Sequence, residues 1–354
     1  MLDYIIVGSG LAGIAFCENA IKNNKTFIVF NNDTQNSSKV AAGLYNPVIL
    51  KRFSQVWHAS NQLEILKEYY AHLELKLNCK FDHELPIYRK LFSVEEQNNW
   101  FLATDKPGLS EFLSLTLITK KNASIDSEFC FGEVLKTGFV DTKLLLSEYV
   151  IYLQMSGFYS NETFEYSKLN YFDDFVTYNN LKARHILFAE GFGNKWNPFF
   201  NYLPVDGTKG ELLLIKAPNL NLKEIINSSI YLIPIGNDLY KVGATYNWED
   251  KSNVPTEEGK IELLNNLKSL INCDFEIIDH LAGVRPTVKD RRPLAGTHPK
   301  FKRYHILNGL GTRGVMIAPE LAVMLYNHIE NQEILNDHVN IKRFEKLISN
   351  SDYI

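Results

Sequence analysis

The chain has 354 residues, 45% of them hydrophobic and 22% charged, so it buries a large core and disorder is excluded for its bulk. Lys and Arg number 37 against 41 Asp and Glu, a net charge of −4, which argues against a surface built mainly to bind nucleic acid. The length suits two ordinary domains or one large α/β unit with an insertion. The four cysteines, at 17, 79, 130 and 273, lie far apart with no Cys-x-x-Cys pair. That pattern encodes neither a redox dithiol nor a clustered zinc site, and it suits free thiols in the cytoplasm. No metal is expected. The N-terminus has no signal-peptide pattern, and no apolar run reaches ~18 residues, so no membrane span is expected.

Residues 4–7 form an apolar run ending at Gly8-Ser9-Gly10-Leu11-Ala12-Gly13, after which small and apolar residues continue at helical spacing to Ile21. A second β-rich run covers 26–30, giving strand, glycine turn, helix and strand in some 30 residues, the opening of a parallel sheet. The segment from about 56 to 77 places Leu63, Leu66, Tyr69, Tyr70, Leu73 and Leu77 at helical spacing. Residues 85–135 read as short strand-like pieces around a polar segment near Asn98 and Asp105. Asp141 is a candidate N-cap for a helix over 142–153. Hairpin material fills 160–180, and 185–188 is a strand ending at Ala189-Glu190-Gly191. Three strand-like runs follow at 211–216, 230–234 and 239–244. A helix is expected over 256–271, with a weak cap at Thr256. A last strand at 305–307 ends at Gly309-Leu310-Gly311-Thr312-Arg313-Gly314, and Ala318-Pro319 introduces a helix over 318–330.

Gly-x-Gly-x-x-Gly between a strand and a helix is a dinucleotide-binding turn. Gly8 allows the tight bend, Gly10 lets the backbone approach a pyrophosphate, and Gly13 lets the helix pack close to the strand. A carboxylate on the ribose is expected at the end of the second strand. Asn31 stands there, followed by Asn32 and Asp33. An amide bonds a vicinal diol without the charge a carboxylate brings.

Three more segments complete a pattern: Lys39 through Pro47 with Ala41, Ala42, Gly43 and Leu44; the run 282–296 with Arg285-Pro286; and Gly309 through Pro319. Together with the glycine turn they resemble the FAD-dependent D-amino-acid oxidase superfamily, near its glycine oxidase branch and the oxidase module that acts on methylaminomethyl-uridine in tRNA. The resemblance implies an α/β fold, a Rossmann-like FAD-binding domain interleaved with an α+β substrate domain holding a mostly antiparallel sheet. The first would take 1–80, 136–208 and 284–354, the second 81–135 and 209–283. It implies FAD contacts from Gly8 through Gly13, Asn31, Asn32, Lys39, Ala41 through Leu44, Ala189 and Gly191. The same holds for Gly309, Gly311, Thr312, Arg313, Gly314 and Val315. Val40 stands where one branch attaches flavin through His, and no cysteine follows Cys273, so the resemblance implies noncovalent FAD.

By the same resemblance Arg285, following a strand, holds the substrate carboxylate; its planar fork pairs bidentately and stays charged. Tyr246 lines the substrate pocket, and Arg313 faces the flavin or the pocket mouth. Glu190 is unusual at its position and is expected to bond a backbone group or a ribose hydroxyl. His58, Arg291 and Arg292 are expected to be structural or solvated, and Lys241 receives no role. The implied reaction takes an amino acid or small secondary amine, passes hydride to flavin N5 and leaves an imine that water hydrolyses. Oxygen or another acceptor then reoxidises the flavin. The alternatives are the same oxidation on a carboxymethylaminomethyl group of tRNA uridine, or flavin binding without amine oxidation.

Overall fold

The protein is described by a computed structural model covering residues 1–32, 34–119, 122–125 and 127–348. Asp33 lies outside the described residues. Tyr4, Ile5 and Ile6 are fully buried, and the strand they belong to, Leu2–Val7, has neighbours on both sides. That is why residues 4–7 are continuously apolar rather than alternating. It pairs in parallel with Phe27–Phe30 on one side and Leu181–Phe188 on the other. Tyr159–Ser160 and Tyr304–Asn308 extend the sheet outward, again in parallel. The antiparallel strands Leu169–Tyr171, Val176–Tyr178 and Leu294–Thr297 bring the sheet to eight.

Three helices meet beside this sheet, the first and third of them touching its strands. Leu11–Lys22 buries nearly its whole length, and Ala59–Leu77 buries Leu63, Leu66, Tyr70 and Leu73 on one face. Thr142–Met155 is capped by Asp141, whose Oδ1 accepts from Leu144 N at 3.2 Å. Among them Glu18 is buried, and Lys76 Nζ and the Tyr149 hydroxyl donate to it at 2.7 and 2.6 Å. A buried carboxylate persists only with such partners.

The second sheet also has eight strands, in the order Glu276–Val288, Val205–Lys216, Leu239–Gly243, Tyr231–Pro234, Ile225–Asn227, Ile87–Lys90, Phe131–Val134 and Leu113–Ile118. Ile225–Asn227 and Ile87–Lys90 run parallel; the other pairings are antiparallel. Its strands come from two stretches of chain, 87–134 and 205–288. The divisions expected at 208 and 283 fall inside its two longest strands. Helix Glu257–Lys268 packs on it, capped by Thr256 Oγ1, which accepts from Gly259 N at 3.1 Å. No helix among the described residues is long and apolar enough to cross a membrane, and the four cysteines are unpaired.

Three elements differ from the sequence expectation. The polar segment near Asn98 is a helix, Val94–Thr104, capped by Ser93, whose hydroxyl accepts from Glu96 N at 3.1 Å. Arg285 does not follow a strand but lies within Glu276–Val288. That strand is at the edge of its sheet, where Pro286 leaves no ladder bond unmade. The last helix starts at Gly314, not at 318, and Pro319 lies inside it. A proline there removes the N–H that would bond the Val315 carbonyl. The buried Tyr70 hydroxyl supplies the missing donor, at 2.9 Å.

Candidate active site

A cavity of about 1710 Å³ is lined by residues of both sheets. It exceeds the roughly 300–1,000 Å³ of a pocket for one drug-sized ligand, and accommodates a dinucleotide with a substrate beside it.

At one end lie Gly8, Gly10, Leu11 and Ala12. Gly8 has φ +102°, and a Cβ on it would meet the Ala189 carbonyl oxygen at 2.5 Å. Only glycine takes that conformation without strain. Among the described residues no side chain caps helix Leu11–Lys22, whose first residues line the cavity, so its first N–H groups are left for a ligand. Such a terminus binds phosphate. Gly13 is turned away from the cavity, pressed on the Gly8 carbonyl so closely that a Cβ would lie 2.0 Å from it. Ser9 is buried and Lys39 is in the short helix Ser37–Val40; neither lines the cavity. Asn31 and Asn32 do line it. Their amides donate to Tyr159 Oη at 3.2 Å and Thr163 Oγ1 at 3.1 Å.

Ala189, Glu190 and Gly191 form the adjoining wall. Glu190 is held by side chains rather than backbone: it accepts from the Tyr166 hydroxyl and, at 2.7 Å, from Asn197 Nδ2. Burial pushes its carboxyl up to about 7, against the pull of those two donors.

Ala41, Ala42, Gly43 and Leu44 line the middle of the cavity. Gly43 has φ +80°, and a Cβ there would fall 1.9 Å from the Val140 carbonyl oxygen. Gly311, Thr312, Arg313, Gly314 and Val315, the entry to helix Gly314–Glu330, line it as well. Gly309 lies behind, where a Cβ would meet Val288 Cγ2 at 2.5 Å.

The far end is formed by the second sheet. Arg285 extends over Gly210 of the neighbouring strand, and a Cβ at Gly210 would fall 1.9 Å from Arg285 Nη2. Arg285 Nη1 donates to the Thr245 carbonyl at 3.2 Å, and the guanidinium lies 4.7 Å from the Tyr246 ring centroid. Burial pushes its pKa below the ordinary value, and the Tyr246 phenol opposes that. Among the described residues no carboxylate lies within 4 Å of it. Tyr246 lines the cavity while remaining 63% exposed. Asn247 anchors it by exchanging backbone bonds with Lys209, at 2.9 and 3.0 Å. Lys209 is itself fully buried and donates to Asp250 and to the Val254 carbonyl, so the 246–254 loop is tied to the sheet beneath. Tyr231, Asn46 and Arg89 complete this end. Arg89 is neutralised by Glu96 at 2.8 Å.

His58, Lys241, Arg291 and Arg292 do not line the cavity. His58 Nδ1 is 3.1 Å from Glu320 Oε1, and Lys241 lies mid-strand opposite Leu214 and Ile233. Sequence reasoning missed Gly210, Thr245, Tyr231, Arg89, Tyr166 and Asn197. Of these only Gly210, a glycine between Lys209 and Glu211 in a strand, carries a signal of close approach.

A two-sheet α/β molecule with a glycine-lined phosphate cradle and a large cavity between its sheets is the architecture of a dinucleotide-dependent enzyme. Residues 3–327 match the family model for FAD dependent oxidoreductase (DAO), and the chain belongs to that family. It is 21% identical to a glycine oxidase of Bacillus subtilis over 97% of both chains. It is 28% identical to the tRNA 5-methylaminomethyl-2-thiouridine biosynthesis bifunctional protein of Idiomarina loihiensis over 41% of this chain, a quarter of that protein. The crystal structure of glycine oxidase from Geobacillus kaustophilus superposes with a TM-score of 0.78 at 17% identity, over 97% of each chain. The cofactor is FAD. The glycine cradle, where a Cβ on Gly10 would crowd Ser38 Oγ at 3.3 Å, fits its phosphates, and the small residues from Ala41 to Gly43 leave room for a planar ring.

Proposed function

We propose that the chain oxidises the C–N bond of a small amine or amino acid that carries a carboxylate, and that Arg285 holds that carboxylate. One observation carries this reading: a guanidinium on the cavity wall, given space by Gly210, with one carbonyl bond and no acidic partner among the described residues. A cation kept from solvent without a counter-charge is costly unless a ligand supplies one.

Arg285 orients the substrate through a bidentate pair, and Tyr246 closes over the guanidinium face. Loss of the α-hydrogen with its electron pair and of the N–H proton turns the C–N bond into an imine. Water then splits the imine into a carbonyl product and an amine. Bound FAD supplies the two-electron acceptor for that oxidation. The protein contributes position and charge, not a dedicated general acid. Noncovalent attachment is supported by the absence of Cys and His among the described residues that line the cavity.

The test is anaerobic reduction, followed by flavin bleaching, with glycine, sarcosine, D-amino acids, proline and carboxymethylated amines. It is independent of whether oxygen or another acceptor finishes the cycle. Arg285→Lys keeps the charge and loses the fork, and it should cost on the order of 2 kcal/mol in the second-order reduction rate. An undiminished rate would remove Arg285 from the role. A second reading, the same chemistry on a tRNA uridine, is favoured by exposed Lys51, Arg52 and Lys106 on the cavity wall. Bleaching by undermodified tRNA but by no free amine would select it.

A further inference from the structure

Residues 246–256, which lead from the second sheet to helix Glu257–Lys268, are all exposed or half-buried. Tyr246, Trp248 and Val254 are among the exposed ones. A segment with no buried apolar side chain keeps one conformation only as far as its polar ties hold it. Both ends are pinned by Glu211. Thr245 N donates to the Glu211 carbonyl at 3.1 Å, and Thr245 Oγ1 accepts from Glu211 N at 2.9 Å. Thr256 donates to the Glu211 carboxylate through N and Oγ1, at 2.9 and 2.7 Å. The middle is held from Lys209 on the same strand. Its fully buried ammonium donates to Asp250 Oδ2, to Ser252 Oγ at 3.3 Å and to the Val254 carbonyl, all of them oxygens of the loop. The bond from Lys209, ahead of the one from Ser252 N, holds the Asp250 carboxyl down to about 2. The remaining ties are weaker. Lys251 bonds the Gly207 carbonyl and pairs at 2.7 Å with the exposed Asp206, a kind of pair that contributes little, and Asn253 Nδ2 reaches the Thr34 carbonyl at 3.4 Å.

Lys209 does not line the cavity. Its effect on the site runs through Tyr246, the first residue of the loop, whose ring centroid lies 4.7 Å from the Arg285 guanidinium. Tyr246 is exposed, so the loop and not side-chain packing keeps the ring in that place. We propose that Lys209 is a positioning residue of the substrate site: its buried ammonium keeps the 246–254 loop ordered before substrate arrives, with Tyr246 already over Arg285. This rests on the role given to Arg285 above and adds what prepares that arginine for a carboxylate. If the loop is ordered in only a fraction of the molecules, apparent affinity falls by that fraction, while the saturated complex, its loop ordered by the substrate, reacts as before. Loss of the ammonium therefore weakens capture of the amine and spares the oxidation of its C–N bond.

Two variants test this. Lys209→Met keeps the side chain's length and removes the ammonium. Asp250→Asn, at a partly exposed position, removes one partner and leaves Lys209 in place. Each holoenzyme is reduced anaerobically over a range of concentrations of glycine, sarcosine, D-alanine and proline, and read with the amine that bleaches the wild-type flavin fastest. The second-order rate should fall about tenfold in Lys209→Met and about threefold in Asp250→Asn, with the limiting rate at saturation within about twofold of wild type. Amide exchange, followed by mass spectrometry with no amine present, reads the loop directly. It should quicken in both variants at Asn247, Glu249, Asp250 and Ser252, whose N–H groups are bonded in the intact loop, while the two sheets exchange as in wild type. Equal falls in the second-order and limiting rates would overturn the role, since the loss would then lie in the chemistry. Loop exchange that stays at the wild-type rate, or that quickens without any change in the second-order rate, would overturn it too. If Lys209→Met does not fold or load FAD, Asp250→Asn carries the same decision. If none of the amines bleaches the wild-type flavin, the amine-oxidation reading fails and this inference fails with it.

Discussion

Gly210→Ala isolates the space beneath Arg285 from every other property of the site. The added Cβ would stand 1.9 Å from Nη2, 2.1 Å from Cζ and 2.3 Å from Nη1. Relieving that overlap requires the guanidinium to move by about 1.5 Å, and a misplacement of that order at a positioning group costs roughly 10²-fold in rate. The movement also breaks the 3.2 Å bond to the Thr245 carbonyl. The backbone at Gly210 is ordinary extended strand paired with Gly283, which alanine adopts freely. The clash is with the end of a flexible side chain, so the fold should yield without unfolding. The variant should keep its FAD and melt close to wild type, while the second-order rate of anaerobic reduction by its best substrate falls about 100-fold. Stopped-flow flavin absorbance measures the rate and a thermal scan the stability. A wild-type rate in Gly210→Ala would refute the placement of the carboxylate on Arg285. A colourless or unfolded product would show that Gly210 serves packing instead.

Tyr70→Phe removes the donor that replaces the missing Pro319 N–H and leaves the Val315 carbonyl buried and unpaired; the expected loss is about 1–3 kcal/mol in denaturant unfolding. His185 and His305 are buried against each other at 3.0 Å, and burial pushes His185 down to about 4 and His305 in the same direction. The unfolded chain then binds more protons than the native one between pH 6.5 and 4. Stability is therefore lost as pH falls through that window, by about 3 kcal/mol from His185 alone, and His185→Gln should flatten the acid limb of a melting-temperature profile. Glu190 runs the other way: its carboxyl is raised to about 7, so its contribution is full below pH 4.5 and is lost as pH rises through 7. Melting of the holoenzyme between pH 6 and 9 should decline more steeply in wild type than in Glu190→Gln, and parallel curves would show that Glu190 does not titrate there.

The nucleotide end was legible because its constraints are local. Gly8, Gly10 and Gly13 lie within six residues, and the strand and helix that frame them have plain periodicities. Ser93 and Glu96 were equally local, a capping pair that the polar residues around Asn98 obscured. The substrate end was legible only through resemblance. Gly210 answers to a side chain 75 residues away, and Tyr70 to a proline almost 250 residues away; no window of sequence contains both members of either pair. Glu190 shows a third kind of opacity. Its oddity was visible, but its partners Tyr166 and Asn197 arrive from a 3-10 turn and a loop whose approach depends on the whole sheet.

The central strand of the first sheet has a consequence for how the chain is made. Leu2–Val7 gains its Phe27–Phe30 neighbour early, but the other side, Leu2 opposite Ala183, waits for the strand Leu181–Phe188. At a synthesis rate of about 5–20 residues per second, that edge stays unpaired for roughly 10–35 s. The parallel strand Tyr304–Asn308 and the helix that follows come later still. Throughout that interval the nascent chain carries an apolar, open-edged strand, the kind of surface that invites aggregation. The phosphate cradle is among the first parts made, yet the wall formed by residues 311–315 is among the last, so the cavity is complete only when the last helix is in place.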